Sequence, residues 1–197
     1  MSALLVKDKE ITMELTAEIV RELLYYNPNT GKLFWKERSL KYFKSERFAR
    51  RWNTRYAGKE AFITKEKDYS SKHGRIRRKV GTIFEIKYYA HRIIWLHYYG
   101  CWPKDQIDHI NHDATDNRII NLREVSGFEN QKNRTLQKNS TTGYTGVTWH
   151  KTNKKYTARI KVNNKDIHLG SYDNLEEAIK ARELANINYN FHPNHGK

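Results

Sequence analysis

The chain has one cysteine, Cys101. An internal disulfide and a cysteine-rich zinc cluster are therefore both excluded. Long apolar runs are missing too. No stretch approaches the roughly 20 apolar residues that cross a bilayer, and the opening MSALLVKDKE sets charge directly behind a short apolar run, unlike a signal peptide. A soluble protein of the host-cell cytoplasm, without a secretion signal or a membrane role, is expected. Acidic residues are scarce against basic ones: 22 Asp and Glu face 37 Lys and Arg, a net charge of +15 over 197 residues. Solubility asks for only a few charges. An excess of this size points to a polyanion, because each phosphate that a Lys or Arg neutralises releases condensed counterions. With 38% hydrophobic residues the chain is too polar for one large core, and 13% aromatics argue against wholesale disorder.

What is present divides into short units. LTAEIVRELLYY, 15–26, reads as an amphipathic helix capped by Thr16, stopped by the turn residues NPNTG and followed by a strand, KLFWK. Residues 36–55 are basic with interleaved aromatics and no decisive period, which suits an insertion loop or a helix lying along a phosphate backbone. GRIRRKVGTIFEIKYY, from Gly74, alternates as a hairpin, and AHRIIWLHYYG reads as a buried helix ended by Gly100. QKNSTTG, 137–143, is a polar linker. Beyond it YTGVTWH, KYTARIKV and KDIHLGSY are three alternating segments split by turns, and NLEEAIKARELANINYN is a helix with Asn174 or Asp173 as cap. Its Ala178, Ala181, Leu184 and Ala185 form a small-residue face. That pattern predicts a three-stranded antiparallel sheet with one helix across it.

Between them lies IDHINHDATDNRIINLREVSGFENQKN, residues 107–133. QIDHI and LREV read as short strands joined by a polar loop, and Ser126 caps a helix, GFENQKN. Such a unit can close a small cavity with Asp108, His109, Asn121 and Asn130 at its mouth. Hydrolysis of a phosphodiester needs a water deprotonated near neutral pH and a cation at the departing oxygen. A neutral imidazole, with an ordinary pKa of about 6.5, suits the first task. One carboxylate with one amide oxygen suits the second, holding a hard divalent cation while leaving positions open. Asp108 and His109 supply the acid and the base, and Asn130 a second metal ligand. Asn111, Asp113, Asp116, Asn117 and Asn133 read as turn-formers.

These residues resemble the HNH endonucleases, the ββα-metal (His-Me finger) nucleases found among phage and intron-encoded homing enzymes. The resemblance runs over about residues 20–135 and includes YYNPNTGKLFWK and AHRIIW…GCWP as the lead-in. It implies Asp108 as a metal ligand, His109 as general base, Asn121 as the asparagine that holds the loop and orients the histidine, and Asn130 as second metal ligand. Asn130 stands where the family name has its last histidine, as in the homing branch. His91 and Arg92 match a recurrent pair ahead of the motif and imply a supporting or DNA-contacting role.

In KYTARIKV, alternation puts Tyr156, Ala158, Ile160 and Val162 on one face and Lys155, Thr157, Arg159 and Lys161 on the other. Thr148, His150 and His168 extend that basic face if register holds, and a small sheet of this kind can enter a major groove. The tail is similar to the plant APETALA/ethylene-response-factor DNA-binding domain, although Thr148, Thr157 and His168 replace arginines that read bases there. Arg134 joins the expected DNA contacts, and Trp149 is expected to be a packed aromatic.

The expected whole is an α+β chain. Residues 1–73 are a basic α/β extension, 74–136 the ββα-metal nuclease core, 137–143 the linker and 144–197 the sheet-and-helix module. Its expected activity is that of a metal-dependent DNA endonuclease of homing type, with Mg²⁺ or alternatively Mn²⁺ as the cation and no organic cofactor. Double-stranded DNA is the expected partner, and a monomer the default state. The rival expectation is a sequence-specific DNA-binding regulator with an inert HNH unit.

Overall fold

The computed structural model describes residues 14–67, 77–133, 136 and 140–196. The chain is mixed α+β and forms two compact units. The first runs to Lys104 and takes in Ala114–Leu122; the second is Asp105–Asp113 with Arg123 onward. The expected linker, 137–143, has residues 137–139 outside the described set.

In the first unit α1, Ala17–Leu23, starts where its cap predicts. Thr16 is extended and its hydroxyl accepts from Ile19 N at 3.4 Å. Ala17, Val20 and Leu23 are buried, one helical stripe. The helix stops earlier than its periodicity predicts, because Leu24–Asn27 is a strand, β1. It pairs antiparallel with β2, Lys32–Trp35, in the register Leu24↔Trp35 to Asn27↔Lys32. Apolar residues at 24 and 26 satisfy a helix end and a strand equally well. Cross-strand partners settle the choice, burying Leu24 and Tyr26 and leaving Tyr25 out. In the connecting turn Asn27 Oδ1 accepts from Asn29 N and Thr30 N at 3.0 and 3.3 Å. Gly31 takes φ +68°, and a Cβ there would lie 2.5 Å from Arg118 N. Glycine is needed both for the turn and for the close approach of the 114–122 segment.

The basic stretch becomes a 3-10 turn, Leu40–Tyr42, and a helix, α2, Glu46–Tyr56. β3, Glu60–Ala61, extends the first sheet beside β2. β4 (Thr64–Lys67), β5 (Arg77–Ile83) and β6 (Ile86–Tyr89) make a second antiparallel sheet. The expected hairpin is β5 with β6; residues 74–76 of that reading lie outside the described set. α3, Ala90–Tyr99, is buried on nearly every side and ends as expected at Gly100, whose φ is +80° and whose N–H bonds Leu96 O at 3.0 Å. Val20, Leu23, Leu33, Ile83, Ile93 and Ile94 form the fully buried centre.

The second unit opens with β7, Gln106–His109, which shares a two-stranded sheet with β8, Leu122–Val125. α4, Gly127–Gln131, follows behind a complete capping box: Glu129 N donates to Ser126 Oγ at 3.3 Å and Ser126 N to Glu129 Oε2 at 2.9 Å. β9 (Val147–His150), β10 (Lys155–Val162) and β11 (Lys165–Tyr172) form an antiparallel sheet with β10 in the middle. Across it lies α5, Leu175–Asn188, capped by Asn174 through Glu176 N at 2.8 Å. Val147, Ala158 and Ala178 are the buried contact, small enough for helix and sheet to approach closely. Leu184, expected on that face, is exposed. After α5 the chain returns to β7 and α4: Asn194 Nδ2 donates to Ile110 O and Lys132 Nζ to Tyr189 O, both at 2.9 Å. Among the described residues no helix is long and apolar enough to cross a membrane.

Candidate active site and nucleic-acid surface

β7 places two ionisable side chains in succession. Gln106 is exposed, while Ile107, Asp108 and His109 are all buried, so the strand is covered on both faces. Burial of a carboxylate requires partners. Arg123, on β8, supplies two: its Nε and Nη2 donate to Asp108 Oδ2 at 2.9 and 2.8 Å. Asn133, just past α4, donates to the same oxygen from Nδ2 at 2.8 Å. That amide also faces the backbone oxygens of His109 and Ile110 at 3.5 and 3.4 Å. With its nitrogen turned to acceptors, Asn133 presents Oδ1 to His112 Nε2 at 2.9 Å, so His112 carries its hydrogen on Nε2 and donates it. Asn133 is only 4% exposed. The sequence suggested a turn-former; the structure has a buried tie between α4, the Asp108 carboxylate and His112.

Asn130 sits one turn earlier. Its Nδ2 donates to Gln106 Oε1 at 2.7 Å. Residues 106 and 108 share a face of β7 by strand alternation, and Asn130 on α4 meets the first while Asn133, just past the helix, meets the second. Asp108 and Asn130 thus lie on the same side of the strand, with His109 projecting from the other. The donor set fits a hard divalent cation, since it combines a carboxylate with an amide oxygen. The three short bonds to Asp108 all fall on Oδ2, and Asn130 engages Gln106 through nitrogen, which leaves Oδ1 of each side chain outside these contacts. Among the described residues no group of three or more His, Cys, Asp or Glu side chains could hold a metal ion. A cation here would rest on this mixed pair together with water and phosphate oxygens.

The segment Ala114–Leu122 folds with the first unit. Asn121 Nδ2 donates to Asp116 O at 2.8 Å, a bond that closes the loop on itself. Arg118 forks the Asp116 carboxylate from Nε and Nη2 at 2.8 and 2.6 Å. Asn117, read as a turn-former, is 1% exposed. The residue that fixes this loop was missed in the sequence, where it counted as the end of a helix. Tyr26 on β1 donates its hydroxyl to Asn117 O at 3.1 Å and accepts from Ile119 N at 2.8 Å. Burial raises the Tyr26 pKa, so the phenol stays protonated and can play both parts. Tyr26→Phe removes only that oxygen and strands a buried N–H and C=O. Thermal unfolding should show a loss of about 1–3 kcal/mol; an unchanged melt would mean that the loop holds itself.

His91 and Arg92 occupy the first turn of α3. His91 is buried and stacks on Tyr89, with centroids 5.5 Å apart. Arg92 is half-buried, its guanidinium 5.9 Å from the Trp102 ring and Nη2 3.5 Å from Pro103 O. Both therefore sit among packing contacts.

On the tail sheet, Thr148, His150, Arg159, Lys161 and His168 are exposed. His168 owes its position to a β-bulge: pairing runs Ala158↔Gly170 and then Arg159↔His168, so Leu169 is the extra residue. Without that residue, parity would turn His168 toward α5; with it, His168 faces outward beside Arg159. Two expectations change here. Thr157 is only 6% exposed, because it sits on the central strand between Thr148 and Ser171, and is withdrawn from the reading face. Lys155 is half-buried and 3.3 Å from the Asp173 carboxylate. Asp166 adds an exposed acid opposite Lys161. Trp149 packs on Tyr156, with centroids 4.6 Å apart, yet is 41% exposed. Arg134 lies outside the described residues.

No curated protein and no solved structure matches the chain. Residues 88–132, the stretch that contains α3, β7, the Asn121 loop, β8 and α4, match the family model described as HNH endonuclease, and the match supports a nuclease of that family.

Proposed function

We propose that the chain is a metal-dependent DNA endonuclease that cuts at defined sites in the manner of a homing enzyme. The observation that carries this reading is the placement of Asp108 and Asn130 on one side of β7, with buried His109 next in sequence, inside the segment matched by the HNH model. His109 would take the proton of the attacking water on a ring nitrogen. Asp108 and Asn130 would hold the cation, Mg²⁺ by preference, which when bound offsets the charge developing at the phosphate and the leaving oxygen. Arg123 and Asn133 fix the Asp108 carboxylate, and Asn121 keeps its loop closed. Arg159, Lys161 and His168, with Thr148 and His150, would face double-stranded DNA from the tail sheet, in the role that an APETALA-like module implies.

One observation favours a second reading. The Arg123 guanidinium already neutralises Asp108, as an inert unit kept for folding in a DNA-binding regulator would allow. Supercoiled DNA incubated with the protein and Mg²⁺, with and without EDTA, separates the two. Nicked or linear product that disappears in EDTA is the expected result, and ends mapped on genome-length DNA should fall at one or a few positions. Binding with no cleavage under Mg²⁺ or Mn²⁺ would leave the regulator, and scattered ends would remove the homing role.

A further inference from the structure

The segment from Arg38 to Tyr56 carries aromatic surface that its own packing does not cover. The 3-10 turn and α2 border an open groove of about 560 Å³ whose apolar wall includes Phe43, Phe48, Trp52 and Tyr56. The back of this wall is held in place. Trp52 meets Trp35 edge-on with centroids 5.5 Å apart, and the Arg38 guanidinium lies 3.9 Å over the Trp52 ring. Asn53 locks the two segments together, accepting from Arg38 N and donating to Arg38 O, each at 3.0 Å. Burial among these rings lowers the Arg38 pKa to about 10, still far above neutral, so the cation stays in place behind the tryptophan. The front is open: Phe48 is 57% exposed.

Around this aromatic floor stand cations. Lys44, Arg51 and Arg55 line the same groove, and all three are exposed. A wholly apolar occupant would desolvate that rim for no return. A free anion would leave the rings uncovered. The groove asks for a flat aromatic body joined to negative charge, and its volume lies in the range of small-ligand sites. A nucleotide meets both demands, but a base inside a duplex has its faces covered by its neighbours, so only one that has left the stack can use the rings. We infer that this groove binds a single nucleotide unstacked from a DNA strand, its base against Trp52 and Tyr56 beneath Phe48 and its phosphates on Lys44, Arg51 and Arg55. The inference rests on the reading that the chain handles DNA, and extends it: the first unit then prefers DNA distorted enough to release a base.

The test uses the full chain in EDTA, so that cleavage does not intervene, with two probes: a perfect duplex, and the same duplex carrying one extrahelical iododeoxyuridine. The expected result is about ten-fold tighter binding of the second probe, the scale of one stacked base. Ultraviolet crosslinks from the halogenated base should map to residues 42–56. Phe48 is a surface residue, so Phe48→Ala should fold, and it should bring the two affinities together. Equal affinities in the parent chain, crosslinks elsewhere, or a Phe48→Ala variant that keeps the preference would each overturn the groove and leave the endonuclease reading standing. Failure to bind either duplex would overturn both.

Discussion

On the endonuclease reading proposed above, replacing His109 with alanine should lower cleavage of supercoiled DNA by about 10²- to 10⁴-fold, the range for loss of a positioned general base, while gel-shift affinity for the same DNA should stay near that of the parent. The separation follows from burial. His109 is 6% exposed, so its side chain contributes little to the surface that meets a phosphate backbone. A buried imidazole also packs, so truncation costs stability, and slow cutting alone would not distinguish a chemical role from a structural one. Two readouts do. The variant should still melt cooperatively, and added imidazole should restore part of the cutting by filling the vacated space with a base of the same chemistry. Neighbouring His112 is a poor substitute, because its Nε2 hydrogen is held by Asn133 Oδ1. A variant that cuts like its parent would remove His109 from the chemistry.

Local signals in the sequence were reliable where one residue's chemistry decides the backbone. Thr16, Ser126 and Asn174 cap helices through their own oxygens, and Gly100 ends α3 in the left-handed region. The three tail segments pair as their alternation predicts. Failures came where a distant partner decides. Leu24–Asn27 follows β2 and not the helix before it. Asn133 bonds Asp108 across 25 positions, and Tyr26 bonds Ile119 across 93. Neither separation leaves a local trace, and a polar loop residue or a tyrosine after a helix gives no hint of a buried tie. Thr157 shows the same limit within a sheet: parity assigns it the open face, but its place on the central strand leaves it 6% exposed. His168 is on the open face as expected, by way of a bulge that parity does not foresee. In the candidate site the sequence pointed to Asp108, His109, Asn121 and Asn130 by type and interval, but it gave no sign that Arg123 and Asn133 tie the Asp108 carboxylate. Arg123 is the clearest case, since one arginine in a chain with 37 basic residues carries no signal of its own.

Arg123→Met should produce the second large effect, and it bears on both readings of the unit. The methionine keeps length and apolar contact but leaves the Asp108 carboxylate, whose side chain is 10% exposed, with Asn133 as its remaining tie among the three short bonds to Oδ2. An ion pair this covered, broken on one side, costs about 3 kcal/mol, because a charge remains buried without its counter-charge. Unfolding monitored in EDTA should show that loss. Mg²⁺ should then return more stability to Arg123→Met than to the parent, because a carboxylate freed from its guanidinium binds a divalent cation more tightly and ligand linkage stabilises in proportion. The double variant Asp108→Asn with Arg123→Met separates this from a general salt effect. It has no buried charge to strand and no carboxylate to offer, so both the penalty in EDTA and the response to Mg²⁺ should largely vanish. If the single and double variants respond to Mg²⁺ alike, Asp108 is not a cation ligand. The Arg123 pair would then be a structural tie, as the regulator reading requires. A larger response in the single variant would instead mean that guanidinium and metal compete for one carboxylate, so that Arg123 sets how tightly the endonuclease holds its cation.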